Sequence, residues 1–147
     1  MKTHSCSSLL PILTIFLILS SHVFAQSLTK DSLSGTWKVV NSRLLPDMET
    51  KADSAGVANR ELLRKGLIDT KFHFGNNSIF RIELPASSPP IMKELEFVNN
   101  KSWNISGKET IKIGGKENLM NIIVRKFENK IYFLLDESPF LLEVIKL

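Results

Sequence analysis

Leu33-Ser34-Gly35-Thr36-Trp37-Lys38-Val39 is the stretch that decides the fold. Gly35 lets the chain turn sharply where a side chain would obstruct. Thr36 to about Leu44 then reads as the first strand, with Trp37 and Val39 on one face and Lys38 on the other. A large indole at the start of a half-buried strand is an anchor. It can close one end of a β-barrel by filling it.

Upstream, residues 1–25 have the layout of a secretory signal: a basic start at Lys2, an apolar run from Leu9 to Leu19, and Val23-Phe24-Ala25 as the cleavage site. The run is short for a membrane span, so an uncleaved anchor is the weaker alternative. Cys6 precedes the apolar run and therefore cannot carry the lipid of a lipoprotein. Cleavage after Ala25 of the 147-residue chain leaves one domain, 26–147, of 122 residues. A chain of that length buries roughly two thirds of its unfolded surface. Cys6 is the single cysteine and leaves with the signal, so the domain has no disulfide and no thiolate chemistry. The expected location is periplasmic or secreted, with no stable membrane insertion after cleavage.

Downstream, Pro46-Asp47 stops the first strand. Residues 48–66 are alanine-rich, with few β-branched side chains. They read as a short helix, about Ala55 to Lys65, with Ala55, Ala58, Leu62 and Lys65 along one side and Gly66 just past its end. It would serve as a lid on a barrel mouth or as a pad on the wall. From Asp69 the chain alternates. Thr70, Phe72 and Phe74 face one way, and Gly75-Asn76-Asn77 turns. Phe80, Ile82 and Leu84 answer from Ser78–Leu84. Pro85–Pro90 is a stiff loop, and Met92–Val98 reads as a weaker strand. Trp103 and Ile105, then Ile111 and Ile113, point inward from the next pair. The last third gives three strands, Asn118–Phe127, Lys130–Asp136 and Phe140–Lys146. These are apolar on both faces, at Ile122-Ile123, Phe133-Leu134 and Leu141-Leu142. Their outer face needs a cover, either the helix or a second copy of the chain. The fold expected is all-β: a single antiparallel up-and-down barrel of about eight strands, with one helix inserted after the first. A β-sandwich is the alternative.

The Leu-x-Gly-Thr-Trp-Lys-Val entry, set just after an export signal and followed by short strands, resembles the bacterial lipocalin-like domains. The resemblance implies a lipocalin-type barrel with a structural role for Gly35 and Trp37 at its plug. It also implies a basic residue late in the chain stacked on that Trp, for which Arg125 and Lys146 are the candidates. It further implies a small hydrophobic or amphipathic ligand held inside the barrel.

Phe72, Phe74, Phe80, Trp103 and Phe133 all fall on inward faces and are the candidate ligand-lining residues. In the alternative they fill the core, and the outer wall binds a protein or a second copy. No metal site, cofactor or catalytic residue is expected. His73 is the sole histidine of the domain and points away from the apolar face. Asp69, Glu83, Glu94, Glu96, Glu109 and Asp136 single out no acid pair. Gly114-Gly115-Lys116 lacks the rest of a phosphate loop and reads as a turn. The net charge of +4, about +3 without Lys2, is scattered and offers no nucleic-acid face. The sequence thus points to a non-enzymatic binding protein.

Overall fold

The computed structural model describes residues 27–45, 54–136 and 138–147. The expected export signal over residues 1–25, the expected Pro46-Asp47 turn and Glu137 lie outside the described residues. Among these residues, eight strands run β1 (Gly35–Leu44), β2 (Lys71–Phe74), β3 (Ile79–Glu83), β4 (Lys101–Ser106), β5 (Thr110–Ile113), β6 (Met120–Phe127), β7 (Lys130–Leu135) and β8 (Phe140–Lys146). Each pairs antiparallel with the next, and β8 returns to β1, so the barrel is closed. Helix α1 (Lys30–Leu33) precedes β1, and α2 (Ser54–Gly66) lies between β1 and β2. A 3-10 helix over Pro90–Val98 links β3 to β4.

The interior follows the alternation read from the strands. Val39, Phe72, Phe74, Phe80, Trp103, Ile111, Ile113, Ile122, Phe133 and Leu142 are all buried. The alternation slips once in β1, where Trp37, Val39 and Ser42 are buried. A register shift against β8 between Val39 and Asn41 inserts one residue and turns Val40 to solvent.

Trp37 plugs one end. Its Nε1 donates to the Leu33 carbonyl at 2.7 Å, and its ring lies 5.7 Å from that of Phe133. Lys146 is its register partner on β8, and Lys146 Nζ sits 5.6 Å from the indole centroid while donating to the Ser32 carbonyl. The other late candidate, Arg125, pairs instead with Glu109. Gly35 has φ +124°, and a Cβ there would meet Lys146 Cε at 3.0 Å. α1 closes this end beneath the plug. It is held by reciprocal Thr29–Ser32 capping bonds, with Lys30 over the ring of Trp103.

Two sequence expectations need correction. Met92–Val98 is a 3-10 helix, not a strand. Pro89-Pro90 starts it, and Met92, Leu95 and Val98 recur every three residues, matching one 3-10 turn and stacking on one side. The buried side of α2 runs through Leu63 and Gly66 and continues to Leu67 beyond the helix end, while Ala58, Leu62 and Lys65 face water. Gly66 is the last residue of the helix and not the one just past its end, and it is a glycine for reasons of space and not of φ: a Cβ would meet Pro89 Cδ at 2.5 Å and Met92 Sδ at 2.7 Å. In the β2–β3 turn the left-handed residue is Ser78, at φ 64°, and Asn77 serves by accepting from Ile79 N–H.

Candidate functional site

The end of the barrel opposite Trp37 is covered by helices and not by strands, because the wall is incomplete there. β1 pairs with β2 over Gly35–Lys38 and with β8 as far as Leu44. The upper edge of β1 is met by α2, whose Arg64 donates to the Ser42 carbonyl at 2.9 Å. β3 likewise pairs with β4 at Ile79 and Phe80. Above them Asn99 acts as a one-residue strand: its Oδ1 accepts from Ile82 N–H at 2.6 Å and its Nδ2 donates to the Ile82 carbonyl at 3.2 Å. The two inserts meet where Gly66 abuts Pro89 and Met92, and Ser88 Oγ donates to the Gly66 carbonyl.

Between these inserts and the tops of β6, β7 and β8 lies an apolar cavity of about 380 Å³. Leu63 and Leu67 line it from α2 and the residue beyond, with Ile91, Met92, Leu95 and Phe97 from the 3-10 helix. Met120, Leu135 and Phe140 close it from the strands, and Asp136 and Ser138 add polar atoms. Asn121 Nδ2 donates to Asp136 Oδ2 at 2.8 Å. Ile91 and Phe97 are 61% and 54% exposed and both line this cavity, so its rim is apolar where it opens to water. The volume falls within the range of small-molecule pockets.

The five rings singled out in the sequence are all brought together, but against one another. Phe74 lies 5.1 Å from Phe80, 5.3 Å from Trp103 and 6.0 Å from Phe133, and Phe72 lies 5.6 Å from Phe133. None of the five lines the mouth cavity. The residues that do line it were missed. Ile91, Met92, Leu95 and Phe97 lie on the Pro90–Val98 segment, where the three-residue recurrence of Met92, Leu95 and Val98 was the signal available for a helix there. A second hollow, about 280 Å³, lies at the plugged end between Ser27–Leu33 and the β5–β7 edges, with Lys108, Glu109 and Lys126 around it.

His73 sits on the outer wall, as read. Its Nδ1 is 2.9 Å from Thr36 Oγ1 and its Nε2 is 3.3 Å from Glu83 Oε2. This hydroxyl–imidazole–carboxylate chain has the order of a catalytic relay. Its members, however, are cross-strand neighbours on a convex wall, and Lys71 holds Glu83 at 2.7 Å. Lys71 and His73 together hold the Glu83 carboxyl below its usual range. The arrangement is that of a surface charge ladder. Among the described residues, no cluster of three or more His, Cys, Asp and Glu could hold a metal ion, and no helix is long and apolar enough to cross a membrane.

Comparisons with known protein families, with curated proteins and with solved structures find no match for this chain.

Proposed function

We propose that the protein is an exported, non-enzymatic, lipocalin-like binding protein. It takes a small hydrophobic or amphipathic ligand at the mouth of the barrel. The observation that carries this reading is the apolar cavity roofed by α2 and the 3-10 helix, with Ile91 and Phe97 left open to water at its rim. The aromatic rings beneath it pack too closely to leave ligand space, so the bound molecule sits above the barrel core and not within it. The export reading rests on residues 1–25 and the family reading on the Gly-Thr-Trp entry. Nile red, an uncharged apolar dye, is a direct probe. It should bind one to one with enhanced fluorescence, and Ile91→Asp and Phe97→Asp should each weaken binding about tenfold while leaving the melting temperature within a degree or two. Absence of dye uptake, or rim variants that bind like the parent, would overturn the proposal.

A second reading draws on the outer wall. Ile123, Leu134 and Leu141 are register partners that form an apolar row across β6, β7 and β8. That row supports a homo-oligomer or a protein partner. Sedimentation of the parent and of Leu134→Glu tests it: a parent dimer that the variant abolishes supports the row as an interface, and a strict monomer at high concentration removes it.

A further inference from the structure

The hollow at the plugged end differs from the mouth in the sign of its charge. Leu28, Leu33 and Trp37 line it from the N-terminal segment and β1, with Val124 and Ile131 from β6 and β7. Leu28 N–H donates to the Lys108 carbonyl at 3.2 Å, which ties the segment to the β4–β5 turn and makes it one wall of the hollow. Lys108 and Lys126, both exposed, also line it. Strand register puts Lys126 there. Ile122 and Val124 face the barrel interior opposite Leu135 and Phe133, and Lys126 is the next residue of that row, opposite Ile131. The apolar inner face of β6 thus ends in a charge.

The other polar groups of the lining are already engaged. Glu109 is taken by Arg125, and the hydroxyls of Thr29 and Ser32 cap α1. Lys146 brings a further ammonium to this end, where it donates to the Ser32 carbonyl. Among the described residues, neither Lys108 nor Lys126 makes an ion pair. Two free ammoniums beside an apolar floor suit an anion that carries an apolar tail: the floor removes the tail from water, and the local positive field favours the head. The hollow, about 280 Å³, is just below the roughly 300–1,000 Å³ of drug-sized pockets, so the tail is short.

These residues are different from those of the mouth-cavity reading. From them we infer that the plugged end is a second binding site, which takes a small amphipathic anion. Its head meets Lys108 and Lys126, and its short chain lies against Leu28, Val124 and Ile131. The mouth offers such a head no cation, since the charged member of its lining is the acid Asp136.

Octanoate is the probe, followed by amide NMR shifts at about pH 8, where its carboxyl is ionised. The titration should saturate, with the largest shifts at the amides of Leu28, Lys108, Val124 and Lys126. Octan-1-ol has the same chain and no charge, and should bind this end more weakly than octanoate. Lys108→Met and Lys126→Met keep the apolar stems and remove the charges. Each should weaken octanoate binding about threefold, and the two together about tenfold, as expected of partly exposed ion pairs. Lys116→Met removes the same charge from an exposed position outside the lining and should leave the affinity unchanged. Octanoate shifts confined to other parts of the barrel would overturn the inference. So would an alcohol that binds this end as well as the anion, lysine variants at 108 and 126 that bind like the parent, or an equal loss in Lys116→Met. Nile red uptake at the mouth is a separate measurement, so the failure of either site leaves the other standing.

Discussion

Single residues at the two ends of the barrel do different work. Trp37 is buried on all sides, its N–H taken by Leu33 and its ring flanked by Phe133 and Lys146. Truncation to alanine removes a large apolar volume that the closed barrel cannot collapse around. Trp37→Ala should cost about 3–5 kcal/mol of unfolding free energy. Lys146 is exposed and touches the same ring through its charge, so Lys146→Ala should cost about 0.5–1 kcal/mol. Urea denaturation of both variants checks the ratio, which the plug geometry requires to be large. At the other end Asn99 replaces a missing strand residue for Ile82. Asn99→Ala leaves a backbone donor and acceptor without partners, which should cost about 1–3 kcal/mol. Hydrogen exchange localises the effect, with the Ile82 amide losing protection ahead of the amides of β7.

The mouth elements are held by contacts of a few side chains, and their chemistry makes one of them pH-sensitive. The Arg64 guanidinium donates to both Glu61 oxygens at 2.7 Å and pulls that carboxyl down to about 2, while Arg64 itself is raised. A carboxyl depressed in the folded state adds stability above its unfolded value, near 4.5, and loses it progressively as pH falls towards the folded value. Arg64 also holds the Ser42 carbonyl, so the seat of α2 on β1 should persist at pH 5 and loosen between about pH 4.5 and 2. An NMR titration of Glu61 should give a midpoint near 2, and Arg64→Met should return it towards 4.5. Gly66→Ala tests the other attachment. Its Cβ overlaps Pro89 and Met92, and the variant should lose about 1–3 kcal/mol, with raised exchange confined to α2 and the 3-10 helix. These elements were also the least legible in the sequence. Strands such as β2 and β3 announce themselves through a period of two. A helix with one partly buried side offers Leu62 and Leu63 as equal candidates, and what selects Leu63 is the clearance at Gly66, a tertiary fact. Met92–Val98 carries its period of three openly, but Phe97 and Val98 also suit a strand, and local preference alone does not choose between them.

At the scale of the whole molecule the barrel divides into two compartments, and this division decides where ligand binding and stability reside. Closure joins Gly35–Leu44 to Phe140–Lys146 across most of the domain and leaves the wall without a free edge in its lower half. That closure, the inward rings and the single plug were legible because a strand fixes its inner face residue by residue. The mouth was not, since it exists only once two inserts from different parts of the chain meet over the tops of β6–β8. Phe133 sits at the centre of the lower compartment, its ring within 6.0 Å of those of Trp37, Phe72 and Phe74. Phe97 belongs to the upper compartment and is half exposed. The two share no ring contact, and effects at sites without common partners add. Phe133→Ala should therefore lower stability by about 3–5 kcal/mol and leave Nile red affinity within twofold of the parent at temperatures where the variant is folded. Phe97→Asp should do the reverse. In the double variant the stability loss should equal that of Phe133→Ala alone and the affinity loss that of Phe97→Asp alone. A double variant that departs from this sum by more than about 0.5 kcal/mol in either quantity would mean that the aromatic core and the mouth move as one unit, and the ligand would then have to be sought deeper in the barrel.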